Sequence, residues 1–458
     1  MNKLKKIFDK IYSVPVLTGI IISQPIIDMA TYFSKELLNI TSAGIVFRTL
    51  ILMYAIIYLL FSKKDRKKYL FLSYLFLLGI FFVINIILNY NVNYLFADFK
   101  NILKISYLPV LLLFLLKFIN DNKIFVSTKV LNICTFIISF ITLVAKFTNT
   151  QVCSYSNCLN GFIGWFYSAN EIGVICLLLF GVTLYNCIKS EFSFWNVVNL
   201  VLILITSLSI GTKASYLGII TLTLFMFIIQ FLRLCIYRNK ENFKGTVMVL
   251  LIGVVLCVVT PSVPTCYNNY KLFRDYNIYC QIPIDATNFS NAEIIKKNFE
   301  KENSGNTPLT PDEKVEEILN GRDNAFAKKD SMLKKRSIAE KCFGLGYSKY
   351  SNINGETHKE RIVERDYYDL IFEYGYIGII LILIPIITLL LYLAVKRIQK
   401  PSKIISRKNI LIGAIILVLV GAHIAGHVLF SPAVTTYIAF ILAILYSEEV
   451  IFTNENKK

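Results

Sequence analysis

Apolar runs of about 17 to 25 residues, each closed by a short polar or basic stretch, repeat along nearly the whole chain. Twelve such runs occupy roughly 13–32, 42–62, 68–89, 102–119, 127–147, 166–187, 194–210, 213–236, 245–262, 368–395, 408–428 and 433–449. A helix of that length crosses the hydrocarbon layer and satisfies its own backbone groups there. The pattern therefore predicts an all-α polytopic membrane protein with about 12 transmembrane helices. The alternation fails once, between the ninth and tenth runs, where residues 263–366 are polar enough for a loop domain. The expected organisation is thus 1–262 with nine helices, 263–366 as a mostly helical loop domain, and 367–458 with three helices and a tail.

Inside that loop, PSVPTCYNNY suits an irregular exit from lipid. Thr310-Pro311-Asp312-Glu313 has the form of a capping box with proline in the first turn, so a helix is expected to begin there. Val315, Ile318, Leu319, Phe326 and Leu333 follow at helical spacing, with Arg322 on the same stripe, while Asn320-Gly321 weakens its middle. Arg322 reads either as a cation whose stem covers apolar surface or pairs with Glu317 or Asp323, or as a fixed charge facing a lipid-linked phosphate.

Composition agrees with the pattern: 458 residues, 55% hydrophobic, with a mean hydropathy of +0.58, exclude an ordinary soluble protein. When twelve spans alternate, MNKLKKIFDK and the loops at 62–68, 233–244 and 396–408 fall on one side. That side carries about 25 Lys and Arg and the other about three, which places both termini in the cytoplasm and 263–366 outside. The net charge of +18 is then explained by basic loops beside anionic membrane lipids, without nucleic acid. No small-residue cleavage site follows the first run, so it reads as a retained helix. Cys153, Cys158, Cys266, Cys280 and Cys342 fall outside, where Cys153–Cys158 and Cys266–Cys280 read as local disulfides or as free thiols.

Charges within or near the spans narrow the search for chemistry, because a charge facing lipid is costly. Asp28 and Arg48 form a structural ion pair or contribute to a phosphate site; Lys104 and Lys146 face inward or snorkel. Lys213, in the tight turn SLSIGTKASYLG, reaches headgroups or holds an anion. His423 and His427 share a helix face as two metal ligands would, yet no third ligand accompanies them, and polar packing or cavity lining is the stronger reading. ERDYYDLIFEYGYIG, residues 364–378, brings Glu364, Asp366, Asp369 and Glu373 to a membrane junction. These acids are either first-turn decoration of a helix or a site.

The chain resembles the O-antigen ligase and O-antigen polymerase superfamily, glycosyltransferases that use undecaprenyl-diphosphate-linked sugars. The resemblance covers roughly the last two thirds. It rests on GFIGWFYSANEIGVICLL (161–178), SLSIGTKASYLG, ILNGRDNAF (318–326), CFGLGYSKY (342–350), the 364–378 junction and GHVLFSP (426–432). Lys213 stands where an arginine is usual, and Glu364 where a ligase carries histidine. The resemblance implies transfer of a glycan from a lipid diphosphate to an acceptor hydroxyl. A base takes the hydroxyl proton while fixed cations meet the charge of the leaving diphosphate.

On this reading Glu364 is the base with Asp366 as its substitute. Arg322, Lys213 and Arg48 hold the diphosphate, and Tyr367 and His427 line the substrate groove. The scheme inverts the anomeric carbon and calls for neither cofactor nor metal. The implied partners are the lipid-linked donor, a glycan or lipid-linked acceptor, membrane lipids, and the flippase and chain-length regulator of a polysaccharide pathway. The departure at Glu364 tilts the reading toward a capsule, exopolysaccharide or O-antigen polymerase over a ligase. A lipid-linked oligosaccharide flippase is a further alternative, for which twelve spans with both ends inside are suitable.

Overall fold

In the computed structural model the described residues are 2–40, 42–124, 126–154, 161–190, 192–238, 240–268, 322–347, 363–424 and 426–455. The chain begins with α1 (Asn2–Ile11), α2 (Val14–Ile22), α3 (Gln24–Leu38), α4 (Ala43–Phe61), α5 (Arg66–Leu88), α6 (Leu95–Asn122) and α7 (Lys129–Phe147). A small antiparallel pair, β1 (Val152–Cys153) and β2 (Phe162–Gly164), precedes α8 (Ala169–Lys189), α9 (Phe194–Ser209), α10 (Lys213–Tyr237) and α11 (Lys240–Val259). After the loop come α12 (Arg322–Lys334), α13 (Ile338–Phe343), α14 (Asp366–Ile398), α15 (Pro401–Ile404), α16 (Asn409–Ile424) and α17 (Pro432–Glu455).

Every one of the twelve apolar runs lies largely in helix, and the molecule is a polytopic all-α membrane protein. The helices that carry these runs differ in length and continuity. Nine helices among the described residues are long and apolar enough to cross a bilayer. The first run adds a tenth only if its two arms, bent by 45° at Ser23, count as one span, because Pro25 opens a new helix there. α9 and α16 are 16 residues each, shorter than a typical span.

Three helices form the axis. Of their most apolar stretches, 94% of α8, 94% of α17 and 89% of α6 is buried, against 22% for α5 on the periphery. A helix apolar all round is stable only inside such a bundle or in lipid. α17 lies along α6, with Tyr107 and Thr436 meeting between them.

α14 carries the local feature that shapes the cavity end. Its helix is broken at Gly375, where φ is 68° and ψ −176°, so the carbonyls of Phe372 and Glu373 lose their helical partners. They are taken up instead by N–H groups of the Gly-Leu-Gly segment: Leu345 donates to Phe372 O at 2.8 Å and Gly346 to Glu373 O at 2.9 Å. Asn85 of α5 also donates to Glu373 O at 3.0 Å. A Cβ at position 375 would lie 2.4 Å from Cys342 O, so only glycine permits this contact. Beside it, Leu333, Leu345, Val363 and Phe372 form a second small core with Phe326 and Tyr368.

Two members of the expected stripe, Phe326 and Leu333, thus pack where helical spacing placed them. The capping box at 310–313, Val315, Ile318, Leu319, Cys158 and Cys280 lie outside the described residues, and with them both expected disulfides.

Candidate functional site

A cavity of about 410 Å³ opens at the end of the bundle where α4, α6, α8, α14 and α17 begin. Its wall is polar in a setting where polar groups must be accounted for. Arg48 on α4 is 9% exposed and pairs through Nη2 with Asp28 of α3. Its Nε is buried without a hydrogen-bond acceptor. An unmet guanidinium N–H costs about 1–3 kcal/mol, which an anionic oxygen entering the cavity would relieve. Lys100 and Lys104 lie one turn apart on α6 and line the same space. Neither takes part in an ion pair among the described residues.

Five carboxylates share the wall, Asp28, Glu171, Asp366, Asp369 and Glu373, and their hydrogen bonds separate them by role. Asp366 is 1% exposed, and both its oxygens are occupied by consecutive backbone N–H groups: His427 at 2.7 Å, Val428 at 2.8 Å and Leu429 at 2.5 Å. It therefore fixes the turn between α16 and α17. Asp369 accepts from Val363 N at 3.2 Å and Arg365 N at 3.1 Å, which fastens the entry to α14. Glu373 accepts from Asn101 Nδ2 at 2.6 Å, and the same amide donates to Tyr374 at 2.9 Å.

Glu171 differs. It sits in the first turn of α8, set there by the Ser168 cap and the strand pair before it, half-buried and facing the cavity with Ser431 as a hydrogen-bond partner. Among the described residues its carboxylate accepts no backbone N–H of the kind that occupies Asp366 and Asp369.

Of the residues expected from sequence, Arg48, Asp366 and His427 line the cavity together. Glu364 is half-buried with φ of 57°, and its backbone packs against Gly426, where an added Cβ would come within 2.8 Å; it is not part of the wall. Tyr367 donates to Leu419 O at 2.9 Å and lies against His423, off the wall as well. Lys213 is exposed at the first residue of α10, away from the wall. Arg322 opens α12, but its side chain lies outside the described residues.

Glu171 and Lys100 were not among the expected site residues. Their signal was present: Lys100, Asn101 and Lys104 share one face of α6, and Glu171 is the lone acid at the head of an otherwise apolar run. No group of three or more His, Cys, Asp or Glu that could hold a metal ion occurs among the described residues.

The arrangement juxtaposes three cations, one of them with an unmet donor, and a carboxylate with few commitments. Such a wall can hold a polyanion and accept a proton beside it. A family model described as O-antigen ligase like membrane protein matches residues 11–449. No curated protein matches the chain.

Proposed function

Because the chain belongs to the family of O-antigen ligase like membrane proteins, with a membrane glycan-transfer role, we propose that it polymerises lipid-linked oligosaccharide repeat units. The donor is a glycan on undecaprenyl diphosphate, and the reaction takes place in the cavity walled by Arg48, Lys100, Lys104 and Glu171. The observation that carries the reading is the meeting of these four side chains in one space.

In the proposed step an acceptor hydroxyl attacks the anomeric carbon from the face opposite the diphosphate. The new C–O bond forms as the bond to the diphosphate oxygen breaks, and that oxygen leaves with the electron pair. Glu171 takes the hydroxyl proton, and the configuration inverts. Arg48, through its Nε, and the two lysines meet the charge growing on the diphosphate. Asp366 and Asp369 act at one remove, Asp366 by holding the turn that presents His427 to the substrate and Asp369 by fastening the entry to α14.

Glu364 was the first candidate for the base, and the two acids are separable by mutation. The polymerase reading is supported by Glu364 standing where the ligase pattern has histidine. The ligase reading is supported by the description of the matching family.

The proposal places the cavity at the outer face of a bacterial cytoplasmic membrane, with both termini and the basic loops inside. Support comes from α4, which runs from the cavity to the basic loop 62–68 roughly 30 Å away, and from α8, which runs parallel to end at Lys189. A flippase that delivers the donor and a regulator of chain length are the partners this role requires.

The test is the surface polysaccharide of a deletion strain. Single repeat units, with donor accumulating outside, are the expected result. Long unattached chains would mark a ligase, and repeat units trapped on the inner leaflet would mark a flippase.

A further inference from the structure

A second polar pocket, of about 710 Å³, lies at the opposite end of the bundle, between the starts of α7 and α9 and the end of α8. Glu171 and Lys189 bracket α8, so this pocket is roughly 27 Å from the cavity. The glycan-transfer reading assigns it nothing.

Its construction is specific. Asn132 donates to Asn196 at 2.6 Å, Thr128 to Asn186 at 2.5 Å, and Asn196 reaches Ser190, which gives a chain of amides and hydroxyls around the pocket. Asn199 also lines it, 8% exposed, and its Oδ1 is buried with no hydrogen-bond partner. Lys129 and Lys189 stand exposed at the mouth, and neither forms an ion pair among the described residues. The N-termini of both α7 and α9 lie at the pocket, and neither Thr128 nor Ser193 caps its helix with its side chain, although Lys129 N–H already donates to Ser127 Oγ at 3.2 Å; helix N-termini favour an anion. Below the polar floor, Ile133, Phe136 and Phe140 form an exposed apolar stripe along α7, while Trp195 stands exposed at the rim.

The geometry points to a binding site for one anionic phosphoglyceride whose headgroup carries hydroxyls, of the phosphatidylglycerol class. The phosphate would sit between Lys129, Lys189 and the two helix N-termini. A headgroup hydroxyl would donate to Asn199 Oδ1 and so satisfy that unmet acceptor. The acyl chains would lie on Ile133, Phe136 and Phe140, and Trp195 occupies the level at which indoles favour the bilayer interface. A free phosphate compound offers the same headgroup chemistry but leaves the α7 stripe uncovered, so the lipid is the occupant the whole pocket matches.

The test is a lipid titration of the purified full-length protein, followed by native mass spectrometry. The wild type is expected to hold one phosphatidylglycerol at least fivefold more tightly than phosphatidylcholine. Lys129→Ala with Lys189→Ala, and separately Asn199→Leu, are expected to reduce that preference at least fivefold. The charge-retaining Lys129→Arg with Lys189→Arg keeps it. Lys64→Ala with Lys240→Ala, exposed lysines elsewhere in the basic loops, leaves it unchanged. Equal binding of the two lipids, or a preference that survives loss of Lys129 and Lys189, would overturn the site. Displacement of the bound lipid by millimolar glycerol 1-phosphate would overturn the lipid as its occupant. Glycan transfer is not part of the readout, so either result leaves the proposed function to its own test.

Discussion

The two ends of the bundle differ in how they treat buried charge. At the end away from the cavity, several buried charges are closed into pairs, although Arg397 keeps an unmet Nε and Lys68 meets carbonyls instead of a carboxylate. Lys117, fully buried, meets Asp65 at 2.9 Å and Asp121 at 2.6 Å, and Tyr58 completes Asp121 at 3.1 Å. Lys403 and Lys408 engage Glu449 and Glu448 on α17 in the same manner. At the cavity end, Arg48 is only half engaged, Lys100 and Lys104 have no ion-pair partner among the described residues, and Glu171 keeps room for a proton. Closed pairs fix helix positions and ask for nothing more. Open ones cost stability and are retained where a substrate supplies the missing partner.

The difference can be tested by mutation at each end. The largest effect is expected from Arg48→Gln combined with Asp28→Asn, which keeps a neutral buried pair while removing the cation. Polymer formation should fall at least about 100-fold, equivalent to roughly 3 kcal/mol of transition-state stabilisation, at unchanged membrane abundance. The readout is transfer from purified lipid-linked repeat units.

Lys117→Met should do the reverse. It strands Asp121 and Asp65, so stability should drop by about 3–5 kcal/mol in a thermal or denaturant measurement, while transfer per folded molecule stays near wild type. Loss of turnover without loss of stability would erase the distinction between the ends.

Lys100→Ala with Lys104→Ala should lower transfer about tenfold, less than loss of Arg48, because both lysines are partly solvated.

The smallest effect is a pH dependence at the closed end. Burial would raise the Asp65 carboxyl, but the Lys117 ammonium and the Lys68 N–H outweigh it and hold its pKa below the ordinary 3.8. A depressed carboxyl contributes stability above its unfolded value, and that contribution disappears as pH falls through the folded value. Asp65→Asn should therefore be slightly less stable than wild type at neutral pH, and the gap should close in acid below about pH 4.

Helices were readable because hydrophobic run length is a direct physical requirement of the bilayer, so the helical reading of all twelve runs survives. Their continuity was legible only in part: the bend at Ser23 follows from the nearby Pro25, whereas the break at Gly375 depends on partners far along the chain. The carbonyl freed at Glu373 is answered by Gly346 and Asn85, a pairing no local pattern announces. The site was readable in part for the same reason. Arg48 and His427 stand out as polar residues near spans, and so does Asp366. Whether such a residue is open or already occupied is a tertiary fact: three backbone N–H groups from another helix junction fill Asp366, while Glu171, one acid in an apolar run, remains available.

The most direct measurement compares Glu171→Gln with Glu364→Gln in transfer from a lipid-linked repeat unit by the purified protein, at matched amounts in the membrane. If proton removal occurs in the cavity, Glu171→Gln loses at least about 100-fold in turnover and Glu364→Gln stays within a few fold of wild type. Full activity in Glu171→Gln, with activity lost in Glu364→Gln, would move the reaction out of the cavity and contradict the account.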